Sequence, residues 1–184
     1  ECDQASPAEP QTTASDKEQV KILVAKCFNT SCIFAHVVPQ KGVDPERYAV
    51  ERLVKDIEWL GHSRIILRSD NEPAILKLLK ETLQTMKVRG LEQVSESHPP
   101  AYDPSSNGAI EVACKSVGGM LRTLKLDLED RIWATLPPTH SVFAWMVEHA
   151  AWLLTIRPRT DTGWTPHQLA RGTRFNRDLL CFGE

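Results

Sequence analysis

The chain has no surplus of basic residues. Its 22 Lys and Arg face 24 Asp and Glu, giving a formal net charge of −2 and a sequence pI of about 6.3. That balance lacks the positive field of a stand-alone nucleic-acid binder, though not of a catalytic domain whose grip on a polyanion comes from neighbouring domains. No apolar run approaches the roughly 20 residues of a membrane span, and no signal-peptide pattern opens the chain. The five cysteines (Cys2, Cys27, Cys32, Cys114, Cys181) form no C-x-x-C pair. An odd count in a chain of 184 residues excludes a simple disulfide scaffold and points to a reduced, intracellular compartment. None of the six histidines lies at i,i+3 or i,i+4 from another, so a structural zinc site is not expected. There are no internal repeats. An initiator Met is also missing, and both ends, Glu1-Cys2-Asp3 and Cys181-Phe182-Gly183-Glu184, read as cut from something longer.

What is present is an ordinary globular composition, 41% hydrophobic and 25% charged, in a length suited to one domain with a real core. Residues 6–19 are polar, without periodicity, and read as a loop. Lys21 to Lys26 and Cys32 to Val38 alternate as strands around the turn Phe28-Asn29-Thr30-Ser31, which predicts an antiparallel hairpin. Asp44-Pro45 offers an N-cap with Pro at the first helical position, Ala49, Leu53, Ile57 and Leu60 keep helical spacing, and Gly61 supplies the stop. Ser63 to Leu67 reads as a strand. Pro73 opens a second helix through Met86, and Val88 to Val94 is a weaker strand.

A loop dense in Pro and Ser, from His98 to Ser106, precedes a long helix over Asn107 to Arg131. Ile110, Cys114, Val117, Leu121, Leu124 and Leu128 form its buried stripe. Gly118 and Gly119 interrupt it, for close packing or for a bend. After Pro137-Pro138, Val142 to Ile156 makes the last long helix, with Trp145 and Trp152 expected in the core rather than as stacking platforms for bases. This order predicts an α/β fold, a mixed sheet covered by helices on both faces.

Two acids stand out. Asp70, in Ser69-Asp70-Asn71-Glu72-Pro73, comes directly after an apolar strand, and ligands collect at the carboxyl ends of such strands. Its plainer reading is a turn that caps the next helix. Forty residues separate it from Glu111, in Asn107-Gly108-Ala109-Ile110-Glu111, within the first turn of the long helix. The plainer reading of Glu111 is helix-dipole compensation with Lys115 as its i,i+4 partner. Two carboxylates delivered in this way can share a divalent cation, the usual basis of phosphodiester chemistry. Lys115 and Arg122 lie about 40° and about 20° from Glu111 around the helix axis, so all three project together, as a phosphate contact or as a solvated basic face. Lys125 belongs to the same group.

Ser69-Asp70-Asn71-Glu72, Asn107-Gly108-Ala109-Ile110-Glu111 and the hairpin ending His36-Val37-Val38 together resemble the integrase catalytic core of retroviruses and long-terminal-repeat retrotransposons. Thr165-Pro166-His167-Gln168-Leu169 and Phe182-Gly183 resemble the segments C-terminal to that core. The resemblance implies a ribonuclease-H-like, mixed five-stranded sheet flanked by helices, with the first strand cut short, over residues 1–160. Residues 161–184 are then a linker toward a further C-terminal region. It also implies a D,D,E triad holding two Mg²⁺ (or Mn²⁺) ions. Asp70 matches the second acid and Glu111 the third, across a gap a little longer than is usual. Asp3 is the candidate first acid, with Asp16 as an alternative. Lys115 matches a DNA-contacting Lys, Arg122 and Asn107 are expected beside it, and His98 and Tyr102 sit on the substrate-placing loop. The implied activity is DNA cleavage and strand transfer, acting on element ends and target DNA. A homo-oligomer without membrane contact is expected, in the nucleus if it acts on chromosomal DNA. A nuclease of the same fold, and an inactive remnant serving as an interaction domain, are the alternatives.

Overall fold

The structure, a computed structural model, describes residues 19–91, 93–97, 108–157 and 160–184. The hairpin forms as expected. β1 (Lys21–Lys26) pairs antiparallel with β2 (Ile33–Val38), Leu23 opposite His36, and the Cys27 N–H donates to the Cys32 carbonyl at 2.9 Å to close the turn. Side chains alternate across this ribbon. Ile22, Val24, Ile33, Ala35 and Val37 enter one core, while Leu23, Ala25 and Val38 enter another on the opposite face.

The second core is built by α1 (Tyr48–Leu60) and α2 (Pro73–Val88), which pack together. β3 (Arg64–Arg68) pairs in parallel with β4 (Gln93–Ser97), and its Ile65 and Leu67 join the same core. The first core belongs to α3 (Gly108–Ile132), lying against β1, and α4 (Val142–Ile156), lying against β2. Met146, Val147 and Ala150 are fully buried there. Each large apolar side chain so enclosed contributes about 1.5–3 kcal/mol. Thr155 of α4 accepts from the Ile33 N–H and donates to the Ile33 carbonyl, both at 3.1 Å. It occupies both outward backbone groups at the start of β2.

α5 (Pro166–Arg171) opens with a capping box: the Gln168 N–H donates to the Thr165 hydroxyl and the Thr165 N–H to the Gln168 side chain. The chain then returns Phe182 into the first core, against His149, with Arg131 donating to its carbonyl. Residues 161–184, expected as a linker, therefore include both a helix and a core side chain. Phe34, Trp59, Trp152, His167 and Phe175 meet ring to ring, centroids 5.5–6.2 Å apart, and fasten this segment to α1 and α4.

Several expectations shift. The first helix starts at Tyr48, because Asp44 to Arg47 form a turn and Arg47 takes a left-handed conformation (φ 57°). Asp44 still caps, accepting from the N–H groups of Tyr48 and Ala49 at 2.9 and 3.0 Å. Val88 ends α2 instead of opening a strand, and the strand lies at Gln93–Ser97. In α3 the buried stripe runs through Ala113, not Cys114, which is exposed. Trp145 is 73% exposed, not core, whereas Trp152 is partly buried. In place of one five-stranded sheet, the described residues form two two-stranded sheets. The expected first strand, with Asp3 and Asp16, lies outside them.

Candidate active site

β3 delivers Asp70 two residues beyond its last paired residue, Arg68. The Ser69 hydroxyl donates to the Asp70 carbonyl oxygen at 2.9 Å, and the Asp70 side chain is exposed. The capping reading is not realised. The residue before α2 is Glu72, extended and without a side-chain cap bond, and Pro73 at the first helical position makes a capping N–H acceptor less necessary. Glu72 is held instead by Lys41, 2.6 Å away. Asp70 thus stands free of the helix it precedes.

Glu111 lies in the first turn of α3 and is exposed. Its expected ion pair with Lys115 does not form, and it pairs with no other described residue. Lys115 and Arg122 are likewise exposed on α3. Lys125 differs, since its ammonium lies 2.5 Å from Glu129. That pair, with the Leu136 N–H donating to the same carboxylate at 2.6 Å, pulls Glu129 below the usual carboxylate range.

The two glycines of α3 have a reading the spacing left open. Among the described residues, a methyl group on Gly118 or Gly119 would meet only the Arg122 guanidinium, at 3.6 and 4.0 Å. No described helix presses on them. The gap they leave is covered by Arg122, folded back along α3 in the direction of Glu111. Apolar periodicity gave no sign of this, although two adjacent glycines three and four residues before an Arg are the signal that could have.

Carboxylates are hard oxygen donors of the kind Mg²⁺ and Mn²⁺ prefer, so Asp70 and Glu111 fit such an ion in kind. Among the described residues, no three His, Cys, Asp or Glu side chains gather to hold one. Asp3, Asn107, His98 and Tyr102 lie outside the described residues. No described helix is long and apolar enough to cross a membrane. Between β1 and β3, a cavity of about 280 Å³ is floored by Leu53, Asp56, Ile57 and Leu60 of α1 and walled by Ala25, Lys26 and Ile65 to Leu67.

No family model matches the chain, and no curated protein does. The fold is nevertheless that of a retroviral integrase catalytic core. The catalytic core domain of BIV integrase superposes with a TM-score of 0.54 at 19% identity, covering 83% of this chain and 86% of that one. A simian T-cell lymphotropic virus intasome, solved by cryo-electron microscopy with a PP2A regulatory subunit, gives a TM-score of 0.53 at 17% identity. It covers 90% of this chain, which spans 57% of the matched one.

Proposed function

We propose that this chain is the catalytic core of a retroelement integrase, which cuts and joins DNA by metal-dependent transesterification. The observation that carries the reading is the delivery within this fold of two exposed acids, unpartnered among the described residues. Asp70 stands just past a parallel strand and Glu111 in the first turn of α3. Asp70 caps no helix and Glu111 has no ion-pair partner among the described residues, so beyond the α3 dipole neither is tied up by the fold. Asp70 and Glu111 would hold Mg²⁺ or Mn²⁺, with Asp3 as the proposed third ligand. Such ions supply charge neutralisation and Lewis acidity at phosphorus when bound. The chain's own part is to aim these carboxylates and to offer Lys115 and Arg122 to DNA phosphates, Arg122 along the glycine face of α3.

The five-stranded sheet belongs to the same reading. β1 and β3 each use one edge for pairing, and they flank a common cavity over α1. A strand carrying the first acid would join the two ribbons into one sheet. DNA ends, target DNA and further copies of the chain are the proposed partners, with action on chromosomal DNA in the nucleus.

The test is a joining assay with labelled duplex ends, target DNA and Mn²⁺ or Mg²⁺, comparing wild type with Glu111→Gln. Joined products should fall to background while circular dichroism and the unfolding midpoint stay unchanged. Joining that survives in Glu111→Gln removes this acid from the chemistry. Products that are cut but never joined assign the nuclease alternative. Neither product from folded wild-type protein assigns the interaction-domain alternative.

A further inference from the structure

A second cluster of ionisable groups, at the outer edge of β2, serves neither Asp70 nor Glu111. His36 is 8% exposed. Its Nε2 lies 2.8 Å from Oδ2 of Asp56 on α1, and its Nδ1 lies 3.2 Å from Oε1 of Glu148 on α4. Arg52 of α1 donates to the same Glu148 oxygen at 2.7 Å and to the Tyr48 hydroxyl at 3.0 Å. One imidazole therefore joins helices on opposite faces of the ribbon.

The chemistry of the ring decides what this arrangement responds to. The two carboxylates approach opposite nitrogens, so they cannot share with the imidazole a single bound metal ion. Both nitrogens donate only when the ring carries two protons. In that state His36 and Arg52 balance Asp56 and Glu148. With one proton removed, a carboxylate faces a lone pair, and a negative charge is left over in a mostly buried site.

We propose that protonation of His36 closes a clasp that ties α1 to α4 around the edge of β2, and that deprotonation opens it. The groups facing His36 come from every neighbouring element. α1 supplies Asp56, Arg52 and Tyr48, and α4 supplies Glu148, with His149 adjacent to it. β1 sets apolar Leu23 opposite. His36 and Glu148 also line a cavity of about 670 Å³ between β2, α4 and the returning segment, where Asp178 and Glu184 add carboxylates. Opening the clasp therefore loosens a wall of that cavity. The device stands independently of the proposed DNA chemistry.

Burial alone would pull His36 down, but the hydrogen bonds and charges of Asp56 and then Glu148 outweigh it and hold the ring above its ordinary 6.5. Burial holds the Asp56 carboxyl above its usual range, against the pull of His36 and Arg52. The Asp56 shift acts from the unfolded carboxylate pKa upward and is no part of the histidine window. The raised His36 value makes the folded state keep a proton that the unfolded chain gives up. The stabilisation is thus complete below the unfolded histidine pKa and is lost as pH rises through the raised folded value.

The experiment is hydrogen exchange of β2 and α4 amides against pH, corrected for intrinsic rates, together with NMR titration of His36, on the full chain. His36 should titrate above 6.5, and protection of these amides should fall across that titration by about tenfold per unit of upward shift. His36→Gln should flatten this dependence, and the control His149→Gln should not. An unchanged slope in His36→Gln overturns the clasp. Should His36→Gln fail to fold, wild-type protein decides: titration of His36 at or below 6.5 overturns the proposal equally.

Discussion

Asp56 and Asp70 are the same side chain put to opposite uses. Asp56 is buried in α1 and held against His36. Asp70 is exposed past the end of β3, with no side-chain partner among the described residues. The first acid is part of what holds the helices to the ribbon. The second contributes little to folding and is free to take a ligand. The difference shows how a domain with modest reserves separates the charges that secure its frame from those it presents to a substrate.

The largest expected effect tests that division directly. Asp56→Ala leaves His36 and Arg52 facing an unbalanced site and should cost about 3 kcal/mol of unfolding free energy, measured in urea at pH 6. Asp70→Ala should stay within about 0.5 kcal/mol under the same conditions. Equal losses would make Asp70 part of the frame and collapse the comparison.

Asp44 sharpens it as an intermediate case. Its carboxylate is buried and capped onto backbone N–H groups rather than paired with a cation. Burial pushes its pKa up, but the bonds from Ala49 and Tyr48 win and hold it below the usual carboxylate value. Its stabilisation is present above the unfolded carboxylate pKa and lost as pH falls through the lower folded one. Asp44→Asn should cost about 1 kcal/mol near neutrality, with the gap to wild type closing in acid, as read from unfolding midpoints against pH. The smallest effect is a gain. Gly118→Ala adds a methyl that meets only a flexible guanidinium at 3.6 Å. It should raise stability by about 0.5–1 kcal/mol, seen as a higher melting temperature. A loss there would mean that α3 near Glu111 is under a constraint other than helix propensity.

Local chemistry explains which parts of this fold could be read from the residues. α4 runs over Val142–Ile156, as its apolar composition between proline breaks requires. The same all-round apolarity hid its orientation. With no polar face to mark the outside, nothing in the spacing distinguished exposed Trp145 from buried Met146. In α3, the spacing that carried the stripe through Cys114 missed that the buried position is Ala113, one residue earlier. The helix start at Tyr48 eluded the Asp-Pro signal because a turn intervened between cap and helix.

Non-local pairing was the hardest part to read. β3 and β4 join through parallel pairing across α2, which leaves no short-range pattern. His36 finds Asp56 20 residues away and Glu148 112 residues away. Asp70 and Glu111 were legible as candidates because each sits at the junction of two elements. The cap at Asp70 and the i,i+4 pair at Glu111 could be set aside only once the geometry of those junctions was visible, while the dipole role of Glu111 stands.

The hydroxyl of Thr155 has a wider consequence. A ribbon edge with vacant amide and carbonyl groups is a template on which any extended polypeptide can grow. At Ile33 both groups already belong to the domain's own helix, so an incoming strand would find its first rung taken. One small side chain thereby discourages unwanted polymerisation at this margin, while leaving the opposite margin of the ribbon open to a strand of its own.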